Sequence, residues 1–368
     1  MSRIMNDKLR GYAMFAAVSA LLLVVAPLAL PGFRLDELAK YLCFAIAALG
    51  IGLAWGQGGM LTLGQGVFFG LGGYAMGMYL KLHDAGGELP DFMVWSGVEE
   101  LPALWAPFRN PVIALAAVVV LPVTVAALLG ALVFRQRVRG AYFAILSQAL
   151  AAAFVILLVG QQGLTGGTNG LTNFYDFFGF ELEAESTQRG LYFVTAVVLG
   201  ALYLLARQLV KSRFGRLLIA VRDGEDRVRF LGYNPATVKT ITFAISAGMA
   251  GLAGALFVPV AGIISPSLLG VVPSLELVVA VAIGGRYALA GAILGAIVMN
   301  YGKTAFSEEW AGGWLYLQGA LFIGVMTLAP KGAIGVYQQI KDAVARRRSV
   351  PAPHQEKSPA SLKEEVPA

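Results

Sequence analysis

Cysteine and histidine are nearly missing from this chain of 368 residues, which has one cysteine, Cys43, and two histidines, His83 and His354. A single cysteine inside an apolar run excludes an intramolecular disulfide framework and gives thiol or metal chemistry little to stand on. The histidines lie far apart, with no metal-ligand neighbour at the spacing of a zinc signature. No serine sits in a G-x-S-x-G elbow, and paired carboxylates fall only in loops, so a membrane enzyme would lack a catalytic cluster. Gly302, Lys303 and Thr304 imitate the end of a phosphate loop. That loop needs a glycine five residues earlier, where this chain has Ile297, so no nucleotide site is expected here.

Charge is scarce too. Charged residues make up 14% of the chain, against about 25% in soluble domains. Hydrophobic residues reach 57% and the mean hydropathy is +0.70, which is the composition of an all-α polytopic membrane protein. The net charge of +6 sits in short basic clusters beside apolar runs, where topogenic charge explains it and a nucleic-acid partner is not needed.

Apolar runs bounded by charge or Gly/Pro clusters give about ten hydrophobic segments, near 12–31, 38–56, 60–82, 111–134, 141–159, 190–209, 240–264, 273–285, 288–306 and 314–330. The first is read as an uncleaved span, because it is long enough to cross and has no A-x-A cleavage site. Segment 273–285 is too short to cross unaided, and 60–82 is rich in glycine. Both predict broken or re-entrant helices, so eight to ten segments describe the membrane domain over 1–348. Small residues recur every fourth position at Gly66 and Gly70, at Gly73 and Gly77, at Ala247, Gly251 and Ala255, and at Gly291 and Gly295, which predicts close helix packing.

The Lys/Arg asymmetry of the loops puts both termini and residues 211–239 on the cytoplasmic side. Loops 83–110 and 160–189 fall outside, each with one arginine, Arg109 and Arg189. The 83–110 insertion mixes aromatics, prolines and acids as an ordered cap would. Residues 349–368, rich in Pro, Ser, Lys and Glu, read as a disordered cytoplasmic tail.

Polar residues at membrane depth must find partners or carry a function. Gln57, Thr62 and Gln65 lie among glycines, Gln148 lies in the fifth segment, and Thr168 and Asn169 lie in the turn Leu-Thr-Gly-Gly-Thr-Asn-Gly-Leu at 164–171. Such neutral groups serve either as interhelical glue or as the lining of a passage for a small, polar, uncharged solute. Glu276 is the one carboxylate within an apolar predicted segment and is a further candidate for that path. Lys303 reads as a snorkelling residue at a span end near Glu308 and Glu309.

Residues 211–239 interrupt the apolar pattern with seven Lys/Arg and three carboxylates. Arg216, Ala220 and Asp223 share one helical face, Gly224 permits a break, Gly232 an end, and Asn234-Pro235 a new helix start. A short helix-turn-helix across the membrane face is a docking element.

Here the residues resemble a known family. The stretch GRLLIAVRDGEDRVRFLGYNPATVKTITFAISAGMAGLAGAL, with QGGMLTLGQGVFFGLGGYAMG, LTGGTNGL, SLELVVAVAIGG and AGAILGAIV in order over residues 38–335, is similar to permease subunits of branched-chain amino acid type ABC importers. Within them, LPDFMVW, EELPALW, NYGKTAFSEEW and GALFIGVMTLAPKGAIG resemble the urea-transporting subfamily. Two departures are Arg286-Tyr287 after Gly285, where a small-residue turn is usual, and Asp226-Arg227-Val228-Arg229 in place of a double alanine.

The resemblance implies an inner-membrane subunit that works with a second permease, two cytoplasmic ATPases and a periplasmic solute-binding protein. It would bind no cofactor itself, since ATP and magnesium would belong to the ATPases. Gly215, Arg216, Ala220, Arg222, Asp223, Gly224 and Glu225 are the expected coupling residues. Urea is the implied cargo; a branched-chain amino acid is the alternative, and a stand-alone channel is the reading from another class.

Overall fold

The computed structural model describes residues 17–309 and 312–328, apart from Arg139. The expected tail at 349–368, the first residues of segment 12–31 and both termini lie outside the described residues. Eleven helices carry the fold among them: α1 (Ala17–Ala29), α2 (Gly32–Gln57), α3 (Gln65–Asp84), α4 (Pro111–Arg135), α5 (Ala141–Gly160), α6 (Glu185–Lys211), α7 (Arg213–Phe230), α8 (Pro235–Ala261), α9 (Val271–Gly284), α10 (Leu289–Glu309) and α11 (Trp314–Leu328). Among the described residues seven helices are long and apolar enough to cross a membrane, one of them being α9 with the short turn before it, Pro266–Gly284. The chain is therefore an all-α polytopic membrane protein.

α8 is the axis of the bundle. It packs on α3, α4 and α2, while α2 also packs on α10 and α6, and α9 pairs with α10. These contacts are close because the facing residues are small. A Cβ built on Gly72 would lie 2.0 Å from the Gly251 carbonyl oxygen, and one on Gly254 would lie 1.9 Å from that of Phe69. In the same way Gly284 meets Gly291, and Gly295 meets Ala280. The small-residue stripes thus serve packing, where dispersion between closely approaching backbones replaces a hydrophobic drive that lipid does not supply. Aromatic rings fill the remaining space, with Phe243 edge-on to both Phe68 and Phe143.

The expected break in the third segment is displaced. The glycine-rich residues from Gln65 on form one continuous buried helix, and the interruption lies before it, at 58–64, after the last turn of α2 widens into a π-helix at Gly52–Gln57. α9 also starts late, after the 3-10 turn Pro266–Leu268.

The starts of α3 and α9 meet. Gly66 N–H at the start of α3 donates to Ser274 Oγ in the first turn of α9, at 3.1 Å. From there α3 runs to the end that holds residues 83–110 and 160–184, where Asp84 accepts from the backbone N–H groups of Tyr175 and Asp176. α9 runs to the other end, that of α7, where Arg286 and Tyr287 follow it.

Small antiparallel ladders close the first of these ends. β1 (Leu171–Thr172) pairs with β4 (Ile263–Ile264), and β2 (Asp176–Phe177) pairs with β3 (Phe180–Glu181). Gly166, Gly167 and Gly170 take positive φ to form the turn before β1. The 83–110 insertion is ordered as a cap: Asp91–Trp95 is a short helix, Lys81 Nζ bonds the Asp91 carboxylate at 3.0 Å, and Trp105 Nε1 donates to the Leu164 carbonyl at 2.9 Å. Trp105 is buried and Trp95 is exposed.

Candidate translocation path and coupling element

A helix that starts inside the bundle leaves its first N–H groups without intrahelical partners, and no water is present to take them. α3 meets this need with hydroxyls from other helices. Leu63 N–H donates to Ser147 Oγ of α5 at 2.9 Å, and Gly66 N–H donates to Ser274. Gln65, fully buried, donates from Nε2 to both the carbonyl and the hydroxyl oxygen of Ser246 on α8, at 3.0 and 3.1 Å. Ser246 lies 11 residues beyond Pro235, about 16 Å along α8 and near its middle.

Two acceptors in this node remain unsatisfied: Gln65 Oε1 and Thr62 Oγ1 are buried without a partner. Ser147, Ser246 and Ser274 escaped the reading of the sequence, because a lone serine in an apolar run carries no spacing signal.

The predicted path residues are strung along the whole depth and form no single cluster. Gln57, buried at the α7 end, donates to the Tyr287 carbonyl at 2.9 Å. Thr62 and Gln65 occupy the middle, Gln148 is half-buried on α5, and Thr168 and Asn169 are exposed at the opposite end. Glu276 stands apart from them, with its carboxylate 2.8 and 3.0 Å from Lys303 Nζ. Lys303, near the end of its span, is thus held by an acid on the neighbouring helix. The side chains of Glu308 and Glu309 lie outside the described residues.

α7 opens with Ser212, whose Oγ accepts from Gly215 N–H, and Gly215 packs so tightly that a Cβ would lie 2.2 Å from the Val210 carbonyl oxygen. Gly224 has φ −168° and ψ 72°, extended geometry that kinks the helix at the expected break. Asn234 then caps α8 by accepting from Ala236 N–H. Leu218, Val221 and Val228 bury the inner side together with Val238, while Arg216, Ala220 and Asp223 lie exposed on the outer one. The Arg222 guanidinium beside Asp223 holds its carboxyl below the usual range.

Two of the expected coupling residues turn inward. The Glu225 carboxylate pairs with Lys239 of α8 and, at 3.2 Å, with Arg229, which tethers the second half of α7 to the bundle. Arg222 donates to the Gly56 carbonyl at the end of α2, at 2.8 Å, and lies 5.3 Å from the Tyr287 ring centroid. The same ring carries Arg286 at 4.8 Å, and Arg286 lies 5.2 Å from the Trp55 ring. The unusual Arg286-Tyr287 turn thus builds a cation–π stack that joins α7, the end of α2 and the turn between α9 and α10. Gly56 is required there, since a Cβ would fall 1.7 Å from the Arg286 carbonyl oxygen. Among the described residues no group of three or more His, Cys, Asp or Glu side chains gathers as a metal would need.

A bundle of membrane-length helices with two helix starts meeting inside it, and a charged element locked to one end, describes a polytopic membrane protein. The family described as the permease component of branched-chain amino acid transport systems matches residues 34–329. The chain belongs to that family, and it is a transport subunit, not an enzyme.

It is 26% identical over 342 residues to the high-affinity branched-chain amino acid transport system permease protein LivM of Escherichia coli K12, covering 86% of this chain and 74% of that one. It is 27% identical to LivH of the same strain, over 42% of this chain and 50% of that one. The autoinducer 2 import system permease protein LsrC of Salmonella paratyphi B is 34% identical over 27% of this chain and 30% of its own. No solved structure matches.

Proposed function

We propose that this chain is an inner-membrane permease subunit of an ATP-driven importer and that its cargo is urea. A second permease, two cytoplasmic ATPases and a periplasmic solute-binding protein complete the assembly. One observation carries the choice of cargo. The polar groups gathered where α3 and α9 begin are all neutral, and those without a partner are an amide oxygen, Gln65 Oε1, which accepts, and a hydroxyl, Thr62 Oγ1, which both accepts and donates. Urea is uncharged and rich in N–H donors, so it complements such groups where an amino acid's charged ends would have to be desolvated. The relatives' names favour a branched-chain amino acid, and that is the second reading.

In this mechanism closure of the ATPase pair presses on the outer face of α7, at Arg216, Ala220 and Asp223. Arg222 and the Tyr287 stack pass the displacement to α2 and to the α9–α10 turn. The starts of α3 and α9 then part first toward one side of the membrane and then toward the other.

Uptake of labelled urea by a strain deleted for this chain tests the proposal. High-affinity uptake is expected to disappear, to return with the gene, and to resist competition by leucine. Unchanged urea uptake in the deletion strain overturns the cargo. Loss of leucine uptake in its place establishes the second reading.

A further inference from the structure

Lys303 and Glu276 form a charged pair toward the end of α10 that lies level with the charged start of α2, where Tyr41 donates to Thr304 Oγ1 at 2.6 Å. The Lys303 side chain is 44% exposed, that of Glu276 16%. An acid held this close to an apolar bundle is a candidate functional group.

The pair lines a cavity of about 60 Å³ that opens between α9, α10 and α11. Asn300 and Trp314 share the lining, with Phe44 and Met299 among the apolar walls. Trp314 is only 6% exposed, yet its indole Nε1–H has no hydrogen-bond partner among the described residues. A buried donor left bare costs free energy unless something transient accepts from it.

We propose that this pocket is a binding station for the cargo, specific for a small neutral amide. Paired N–H groups of the solute donate to the Glu276 carboxylate, whose outer lone pairs remain free beside Lys303. The solute oxygen accepts from Lys303 Nζ and from Trp314 Nε1. The cavity suits a solute of a few heavy atoms, since a water needs about 10–15 Å³ by a comparable measure. This inference rests on the importer reading given above and adds a place for the cargo that the neutral node between α3 and α9 does not supply.

The test uses the importer purified through a tag on this chain and reconstituted in proteoliposomes. Asn300→Cys places a thiol in the pocket while leaving Glu276, Lys303 and Trp314 in place, and fully buried Cys43 adds no label on this chain. The cationic reagent methanethiosulfonate ethyltrimethylammonium is expected to label that thiol, and urea is expected to slow the labelling. A purely structural ion pair would show no dependence on urea.

Trp314→Phe keeps the ring and removes only the N–H. It is expected to lower urea uptake about 3- to 10-fold, the worth of one hydrogen bond. A thiol that resists labelling overturns the site, as does labelling indifferent to urea, or full uptake by the Trp314→Phe variant. In each case persistent urea import by the unsubstituted protein leaves the importer reading standing. Protection by leucine and not by urea overturns the amide assignment. Failure of the unsubstituted protein to import urea removes the cargo reading and the site with it.

Discussion

At Gly254 a single methyl group decides whether two helices can meet. Its Cβ would lie 1.9 Å from the Phe69 carbonyl oxygen, backbone that belongs to another helix and cannot rotate away. Gly254→Val is therefore expected to force α3 and α8 apart and to cost more than the 1–3 kcal/mol typical of overpacking, seen as a lower melting temperature of the detergent-solubilised protein. Gln65 sets the opposite case, a polar side chain kept in the core. Gln65→Leu removes two bonds to Ser246 together with an unsatisfied acceptor. Its thermal stability is expected to change little while urea transport falls at least tenfold. A variant that melts early and still transports would mark Gln65 as packing alone.

Residues of this kind were unevenly legible in the sequence. Gln65 stands out because glutamine is rare among glycines in an apolar run. Ser147, Ser246 and Ser274 look like any small residue, and only the fold brings their hydroxyls to the start of α3. The partner of Lys303 was hidden for a related reason: Glu276 is 27 positions away, on a different helix.

Among the elements, α7 separates two sets of residues that the sequence had placed together. Helical periodicity correctly put Arg216, Ala220 and Asp223 on one face, because the face follows from spacing alone. Arg222 and Glu225 share the same charged stretch, but their partners, Gly56, Tyr287 and Lys239, lie in other helices.

The two sets are expected to fail differently. Arg216→Glu and Asp223→Lys leave α7 docked and lower transport by weakening ATPase coupling, so substrate-stimulated ATP hydrolysis drops while the melting temperature holds. Glu225→Gln leaves Lys239 half-paired in a site where both side chains are 11% exposed. It is expected to destabilise by about 1.5–3 kcal/mol, the range for a hydrogen bond to a charged group. Tyr287→Ala removes the ring between Arg222 and Arg286. Transport is expected to fall with basal hydrolysis intact, and Tyr287→Phe, which keeps the ring, is expected to restore most of it.

For the molecule as a whole, hydrophobic segments gave the number and order of helices closely, since an apolar run of membrane length has few alternatives. The misplaced feature was the break before α3. Glycine density suggested interruption within 60–82, yet those glycines serve contact with α8, and the chain leaves helical geometry at 58–64 instead. The exposed apolar faces of α4 and α5 fit a subunit that meets lipid or another permease. In keeping with the proposed assembly, protein solubilised in mild detergent is expected to copurify with an ATPase, and uptake is expected to stop when ATP is depleted. Uptake that persists without ATP would favour a stand-alone channel.

The meeting of α3 and α9 has an electrostatic consequence. Both helices begin at the same depth and run to opposite ends, so their N-terminal half-charges, each about +0.5, point at one spot with no carboxylate among the hydroxyls and amides gathered there. A protonated water or a sodium ion would meet a positive barrier inside the bundle, as cations do where half-helices face each other in selective pores. A neutral solute would not. If the proposed path runs through this node, the barrier would let the cargo pass while holding back the ions whose gradients the same membrane keeps.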